Sequence, residues 1–339
     1  MELTIRKEKL RFKQPAKTSR GVYLSKDVFY IERTTPEGKE IIGECAPLQD
    51  LSPDFSEDYH NTLSKLLDEV KDDSWSPSEE WKRYPSILFG IETALRHIKA
   101  GSFAHTDTPF SREEKGIPIN GLIWMGSYDE MLDRIEGKLR EGFRCLKLKI
   151  GAIAFDSEVE LLLRIRNRFL PQDLEIRLDA NGAFSFPESL EKLNILSRYK
   201  IHSIEQPIAA GEPEQMSKIV RDTPIPVALD EELIGIYKTQ QKRDLLETIR
   251  PHYIILKPTL HGSFYGCDEW IKLAQEMDIP WWATSALESN IGLNAIAHWV
   301  SSHSVERPQG LGTGELFINN ISTPLYRKGS EIWYDRSWH

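Results

Sequence analysis

Three cysteines in 339 residues, Cys45, Cys145 and Cys267, are odd in number and far apart, with no C-x-x-C spacing. That excludes a disulfide framework and a zinc knuckle. No stretch approaches the roughly 18 to 20 apolar residues of a membrane span, so no membrane association is expected. Basic charge is not in excess either: 43 Lys and Arg stand against 52 Asp and Glu, a net charge of −9. Such a surface repels nucleic acid and anionic lipid at long range, so an anionic substrate has to be held by local cations or by a metal. The opening Met-Glu-Leu-Thr-Ile-Arg has no apolar signal region, and a cytoplasmic location is expected. Nothing resembles a nucleophile elbow or H-E-x-x-H, which removes an ordinary barrel hydrolase. What is present is a 40% hydrophobic chain, long enough for a barrel plus an accessory layer.

The pattern along the chain changes once. Val22 to Tyr30 alternates with period two and Ile41 to Cys45 follows a turn at Pro36-Glu37-Gly38, predicting a small antiparallel sheet. Helices are predicted over Ser56 to Lys71 and Ser78 to Ala100, and a polar link from Gly101 to Lys115 reads as a domain boundary. Short apolar strands then alternate with helices. The strands begin at Pro118 to Trp124, and the first helix opens on a capping box at Ser127 and Glu130. Single helices are expected over Leu233 to Thr248 and Ile291 to Ser301, and a last strand over Gly310 to Gly314. This alternation predicts an α/β barrel of the TIM type over residues 116–316. The α+β capping domain is expected over 1–115, completed by 317–339.

Five of the strands end in a charged residue where a core would not want one. They are Cys145 to Ile150 with Lys147 and Lys149, Glu175 to Asn181 with Asp179, His202 to Gln206 with Glu205, Pro226 to Glu231 with Asp230, and Tyr253 to Pro258 with Lys257. Steps of 30, 26, 25 and 27 residues separate Lys149, Asp179, Glu205, Asp230 and Lys257, close to the roughly 30 residues of a βα unit. Positions two apart share a face of a strand, so Lys147 and Lys149 point one way, as do Arg177, Asp179 and Asn181. In a barrel that direction is the interior, and active sites lie at the C-terminal strand ends. Each motif alone is ordinary: K-x-K fits a solvated edge strand and Asp179-Ala-Asn-Gly fits a turn.

Three carboxylates on neighbouring strands cannot all stay ionised in a confined site without a cation. All-oxygen ligation favours Mg²⁺ over zinc. A lysine beside a second cation and the metal has its neutral form favoured and becomes a base, so lysines on both flanks predict proton abstraction next to a carboxylate.

Together Lys147-x-Lys149, Asp179-x-Asn181, Glu205-Gln-Pro, Asp230-Glu231 and Lys257-Pro258 resemble the enolase superfamily, in its branch with lysines on both sides of a metal. That superfamily is a standard example of Lys bases working with Mg²⁺. The resemblance implies a modified barrel of seven βα units and a final strand, (β/α)7β, under an α+β cap. Further segments resemble the o-succinylbenzoate synthases: Gly43-Glu-Cys-Ala-Pro-Leu, Leu51-Ser-Pro, Ile119-Asn-Gly-Leu-Ile, Thr284-Ser-Ala-Leu-Glu-Ser-Asn-Ile-Gly and Gly310-Leu-Gly-Thr.

The resemblance implies Mg-dependent dehydration of a small-molecule carboxylate, with Asp179, Glu205 and Asp230 holding Mg²⁺ and Mn²⁺ able to substitute. It makes Lys149 the acid and base and Lys257 the electrostatic partner on the opposite face. Lys147 and Asn181 are expected at the substrate, with Ser285 and Asn290 at its carboxylate end and Arg20 in a loop that closes over it. The sequence departs from its relatives at Ser289-Asn290, where two serines are common, and at Gly312, where an aspartate is frequent. A racemase or epimerase of N-succinyl amino acids or dipeptides, and a non-catalytic metal-dependent binding protein on the same fold, stay open. The oligomeric state stays open as well.

Overall fold

The computed structural model describes residues 3–18, 21–72, 74–304 and 306–338. Strands β1 (Leu3–Thr18), β2 (Gly21–Thr35) and β3 (Gly38–Cys45) pair antiparallel in that order. Helices α1 (Tyr59–Glu69) and α2 (Pro85–Ala100) pack on the sheet. Phe29, Ile31 and Ile42 share one core with Leu63, Leu66, Ile87 and Ile91. Two glycines set the closest approach. A Cβ on Gly90 would lie 2.2 Å from Cys45 Sγ, and one on Gly43 would lie 2.4 Å from the Gly90 carbonyl. The helix expected over Ser78 to Ala100 is broken: Trp81–Arg83 forms a 3₁₀ turn and Pro85 opens α2. Proline has no N–H to offer a preceding turn, so it starts a helix rather than continuing one.

The second layer begins with β4 (Ile117–Pro118) and β5 (Gly121–Ile123), so the expected strand at Pro118 to Trp124 is split in two. There follow α3 (Tyr128–Arg140), β6 (Cys145–Lys149), α4 (Phe155–Arg166), β7 (Glu175–Asp179), α5 (Phe186–Leu196), β8 (Ser203–Glu205), α6 (Pro213–Asp222) and β9 (Val227–Leu229). Then come α7 (Thr239–Ile249), β10 (Tyr253–Leu256), α8 (Ser263–Glu276), β11 (Trp281–Ala283) and α9 (Asn290–Ser301). The capping box of α3 is present, with Glu130 N–H donating to Ser127 Oγ at 3.3 Å and Ser127 N–H to Glu130 Oε2 at 2.8 Å.

Strands β5 to β11 form one parallel sheet in sequence order. Residues 309 and 310 close the ring: Gly310 N–H donates to the Ala283 carbonyl at 2.8 Å and Asn120 N–H to the Gln309 carbonyl at 3.0 Å. The last strand, expected over Gly310 to Gly314, is therefore reduced to bridges at Gln309 and Gly310. Glycine is required there, because a Cβ would meet Thr284 Oγ1 at 2.5 Å. Leu146, Leu148, Ile150, Ile176 and Leu178 pack outward with Leu161, Leu162 and Leu193, which leaves the alternate residues facing inward. The helix expected from Leu233 to Thr248 is a 3₁₀ turn, Glu231–Leu233, followed by Gly235 at φ +82° and only then α7.

The C-terminal part divides its contacts. Lys13 N–H donates to the Leu316 carbonyl and Ile318 N–H to the Arg11 carbonyl, each at 2.8 Å, so residues 316–318 run along β1. Strands β12 (Leu325–Lys328) and β13 (Glu331–Tyr334) then form a hairpin whose second strand pairs with β4. Ile332 and Tyr334, expected beside the cap, instead join the apolar layer around the barrel, where their side chains are buried. No helix among the described residues is long and apolar enough to cross a membrane.

Candidate active site

Sheet order β10-β9-β8-β7-β6 puts the three carboxylate strands between the two lysine strands. Lys149 pairs with Asp179 across β6 and β7, and Asp179 with Glu205 across β7 and β8. Asp230 follows the last residue of β9 and Lys257 the last residue of β10, so all five charges stand at C-terminal strand ends. Inward alternation brings their side chains together. Lys147 Nζ lies 2.6 Å from the Glu205 carboxylate and 2.9 Å from Asp179 Oδ2. Lys149 Nζ donates to Asp179 Oδ2 and to Asn181 Oδ1, each at 2.7 Å. Lys257 Nζ donates to Asp230 Oδ2.

Burial sets these groups against one another. It works against the charge on Asp179, but Lys147 and Lys149 outweigh it and hold the carboxyl well below the usual range. Asp230 is likewise lowered against its burial, chiefly by Lys257. Glu205 is pushed well above its ordinary value by burial and then by the adjacent Asp179 charge. Burial would depress Lys147, yet Asp179, Glu205 and Asp230 together raise it; Lys257 is raised against burial by Asp230, Glu231 and Glu205. The protein's own groups thus favour the charged form at Lys147 and Lys257, whereas the neutral form is expected beside a second cation and a bound metal. Lys147 touches both Asp179 and Glu205 and Lys257 touches Asp230, and this attraction exceeds the repulsion between ammonium groups.

The donor set suits a hard divalent ion. Asp179, Glu205 and Asp230 supply only carboxylate oxygens from adjacent strands, all nearly inaccessible to solvent, and Asp230 Oδ1 is buried without a hydrogen-bond partner. Among the described residues no three metal-ligating groups converge on one point; Lys147 bridges two of the carboxylates instead. A metal would therefore have to displace an ammonium contact, with the backbone already in register.

These residues form one end of a cavity. Lys147, Lys149, Asn181, Glu231 and Lys257 line it from the barrel, and the cap contributes Phe12, Tyr23, Leu48 and Leu51. Asn181, at φ +45°, donates to Glu231 Oε1 at 3.0 Å. Ser285 also lines the cavity; its hydroxyl donates to Glu288 Oε2 at 2.5 Å and accepts from Thr313 Oγ1 at 2.8 Å. Asn290 does not line it. Its amide donates to the Ile321 carbonyl at 2.9 Å and its N–H to Asn320 Oδ1 at 2.9 Å, which turns it toward the C-terminal segment. The anion position at the start of α9 is filled by a protein group, since Glu44 accepts from Ser289 N–H at 2.7 Å and Gly292 N–H at 2.8 Å. Arg20 lies outside the described residues.

Four residues escaped the sequence reading. Gln206, at φ +39°, accepts the N–H groups of Asp230 and Glu232 at 3.3 and 3.1 Å and so fixes the loop that presents Asp230. His261 Nδ1 accepts the Lys257 N–H at 3.0 Å. Lys26 and Glu231 stand on the cavity wall. Gln206 and Glu231 sat within recognised motifs, but Lys26 and His261 carried no spacing signal.

The family described as enolase C-terminal domain-like matches residues 130–318. The chain belongs to the enolase superfamily. Within the superfamily it is 43% identical to an o-succinylbenzoate synthase of Desulfotalea psychrophila, over 96% of each chain. It is 28% identical to one of Vibrio cholerae, over 87% of this chain and 84% of that one. The crystal structure of MenC from Desulfotalea psychrophila LSv54 superimposes with a TM-score of 0.83 at 38% identity, covering 98% of this chain and 99% of that one. A substrate-liganded L-Ala-D/L-Glu epimerase from Bacillus subtilis superimposes with a TM-score of 0.80 over 98% and 96%, at 18% identity, which extends the shared fold and nothing more. The enolase-type (β/α)7β barrel with its α+β cap is thus the architecture of this chain.

Proposed function

We propose that the protein is an o-succinylbenzoate synthase. It catalyses Mg²⁺-dependent syn dehydration of 2-succinyl-6-hydroxy-2,4-cyclohexadiene-1-carboxylate. The observation that carries the reading is the 43% identity over 96% of both chains to an o-succinylbenzoate synthase, and the paired lysines across three carboxylate strands are its chemical support. Asp179, Glu205 and Asp230 would hold Mg²⁺, with Mn²⁺ able to substitute. When bound, the ion supplies positive charge against the dianion that proton loss creates.

Lys149 takes the proton α to the ring carboxylate, and the C–O bond to the 6-hydroxyl then breaks. The same ammonium returns its proton to the departing oxygen, which leaves as water. Lys257 offsets the enediolate charge from the other face, Lys147 and Asn181 orient the reacting end, and Ser285 contacts the substrate further along the cavity. A positioned base contributes about 10² to 10⁴ in rate, and enzymes commonly need about 8 to 23 kcal/mol of barrier lowering. Electrostatic stabilisation therefore has to supply the larger share.

The test is direct. Purified protein with Mg²⁺ should aromatise the diene acid, chelator should abolish turnover, and Lys149→Ala should lower kcat by at least about 10². Failure of the wild-type protein to dehydrate the acid overturns the reading. Lys257→Arg separates it from racemisation, which needs both lysines to exchange protons. If Lys257→Arg still racemises an N-succinyl amino acid, exchanging the α-proton on both faces, the role given to Lys257 is wrong.

A further inference from the structure

Lys26 is a buried cation on the wall of the cavity, contributed by β2 of the cap. Its ammonium donates to the carbonyls of Ala46 at 3.1 Å, Leu287 at 3.0 Å and Ala286 at 3.3 Å. Among the described residues it makes no ion pair, and the two carboxylates that act on it at longer range are Glu288 and Glu44. Both are held by other donors: Glu288 by Ser285 and Thr259, Glu44 by Ser289 and Gly292. Burial lowers Lys26 to about 8, against the pull of Glu288 and Glu44. The other three lysines of the cavity each touch a carboxylate of the protein. Lys26 alone among these four stands without one.

A buried charge without a counter-charge is costly, and a cavity wall is where a ligand can supply it. Phe12, Leu48, Leu51, Leu122, Trp124 and Leu287 make much of the remaining wall apolar. The cavity therefore suits a molecule with an anionic group at each end and an apolar ring between. We propose that Lys26 is a specificity-determining residue that binds the second carboxylate of the substrate, the one at the end of its succinyl arm. The inference rests on the dehydratase reading and deepens it. The ammonium engages that carboxylate by giving up its longest carbonyl contact, to Ala286.

Calorimetric titration of the full-length protein with Mg²⁺ tests this with two stable ligands, o-succinylbenzoate and its analogue carrying a carboxamide in place of the arm carboxylate. Wild-type protein should bind the diacid roughly 10- to 100-fold more tightly, the range of a charge-assisted hydrogen bond. Lys26→Met should bring the two Kd values within about threefold of each other, and Lys26→Arg should restore part of the difference. A residue that only staples the cap to the Ala286–Leu287 loop would weaken both ligands equally and leave their ratio intact, which would overturn the proposal. Should Lys26→Met not fold, equal affinities in the wild-type protein overturn it as well. Turnover of the diene acid by the wild-type protein is a separate measurement, so failure of the dehydratase reading and failure of the role of Lys26 are told apart.

Discussion

Glu44 of the cap and Ser289 at the start of α9 are 245 residues apart in sequence, and the Glu44 carboxylate takes both the N–H and the hydroxyl hydrogen of Ser289. Gly292 N–H adds a third donor. Burial raises the Glu44 carboxyl, against the opposing effect of these donors and of Lys26. The contact ties cap to barrel and occupies the positive end of a helix. Glu44→Gln would turn an amide donor toward groups that are themselves donors. A loss of about 2 to 4 kcal/mol in urea unfolding is expected. A variant as stable as the parent would mean that this contact does not hold the cap to the barrel.

Divalent metal should stabilise the fold, because the carboxylates that would hold it are buried and carry Asp230 Oδ1 unpartnered. At a Mg²⁺ concentration 100-fold above its Kd the gain is about 2.7 kcal/mol, seen as a higher unfolding midpoint than in chelator. Asp230→Asn should shrink that difference several-fold. An equal shift in the variant would place the ion elsewhere.

Gly90→Ala should be severe for so small a change. The added carbon would lie 2.2 Å from Cys45 Sγ and 2.9 Å from the Cys45 nitrogen, and the second neighbour is backbone that cannot rotate away. A loss of at least about 1 to 3 kcal/mol is expected from such overpacking, measured by thermal or urea unfolding. Cys45→Ala beside it should recover only the part due to sulfur.

The reacting end of the site was legible because chemistry and periodicity coincide there. Lys149, Asp179 and Glu205 close buried strands, Asp230 and Lys257 follow directly on theirs, and nothing in a core explains such charges. The cap side was not legible. Lys26 lies in a strand whose alternation looks like any half-buried sheet, and its partners Ala286 and Leu287 are more than 250 residues away. Asn290 misled for a related reason: a helix start suggests an anion site, but which anion fills it depends on Glu44, which only the fold brings there. The charge balance at the lysines likewise depends on the fold. Sequence shows how many cations flank the carboxylates, whereas the sign of the shift depends on which ammonium touches which oxygen.

Acid should weaken the protein through histidines unrelated to the site. His298 on α9 lies between His105, Phe110 and Tyr334, at ring distances of 5.6, 5.3 and 5.0 Å, with Thr106 Oγ1 3.1 Å from its Nδ1. Burial lowers it to about 3, and lowers His105 well below its ordinary value with added repulsion from His298 and His97. Unfolded histidine titrates near 6.5. The folded state therefore holds His298 neutral while the unfolded chain takes up a proton, so its contribution is whole above about pH 6.5 and is lost as pH falls toward 3. Each such histidine gives a slope of up to about 1.4 kcal/mol per pH unit. Asp54, raised to about 6 by burial against its hydrogen bonds from Ser86 and Ile87, acts in the opposite direction over part of that range. Comparing wild type with His298→Gln by urea unfolding at pH 7, 6, 5 and 4 cancels Asp54. The variant should be less stable at pH 7, by the packing lost, yet fall off less steeply below pH 6.5; parallel curves would show that His298 titrates in the folded protein as it does in the unfolded one.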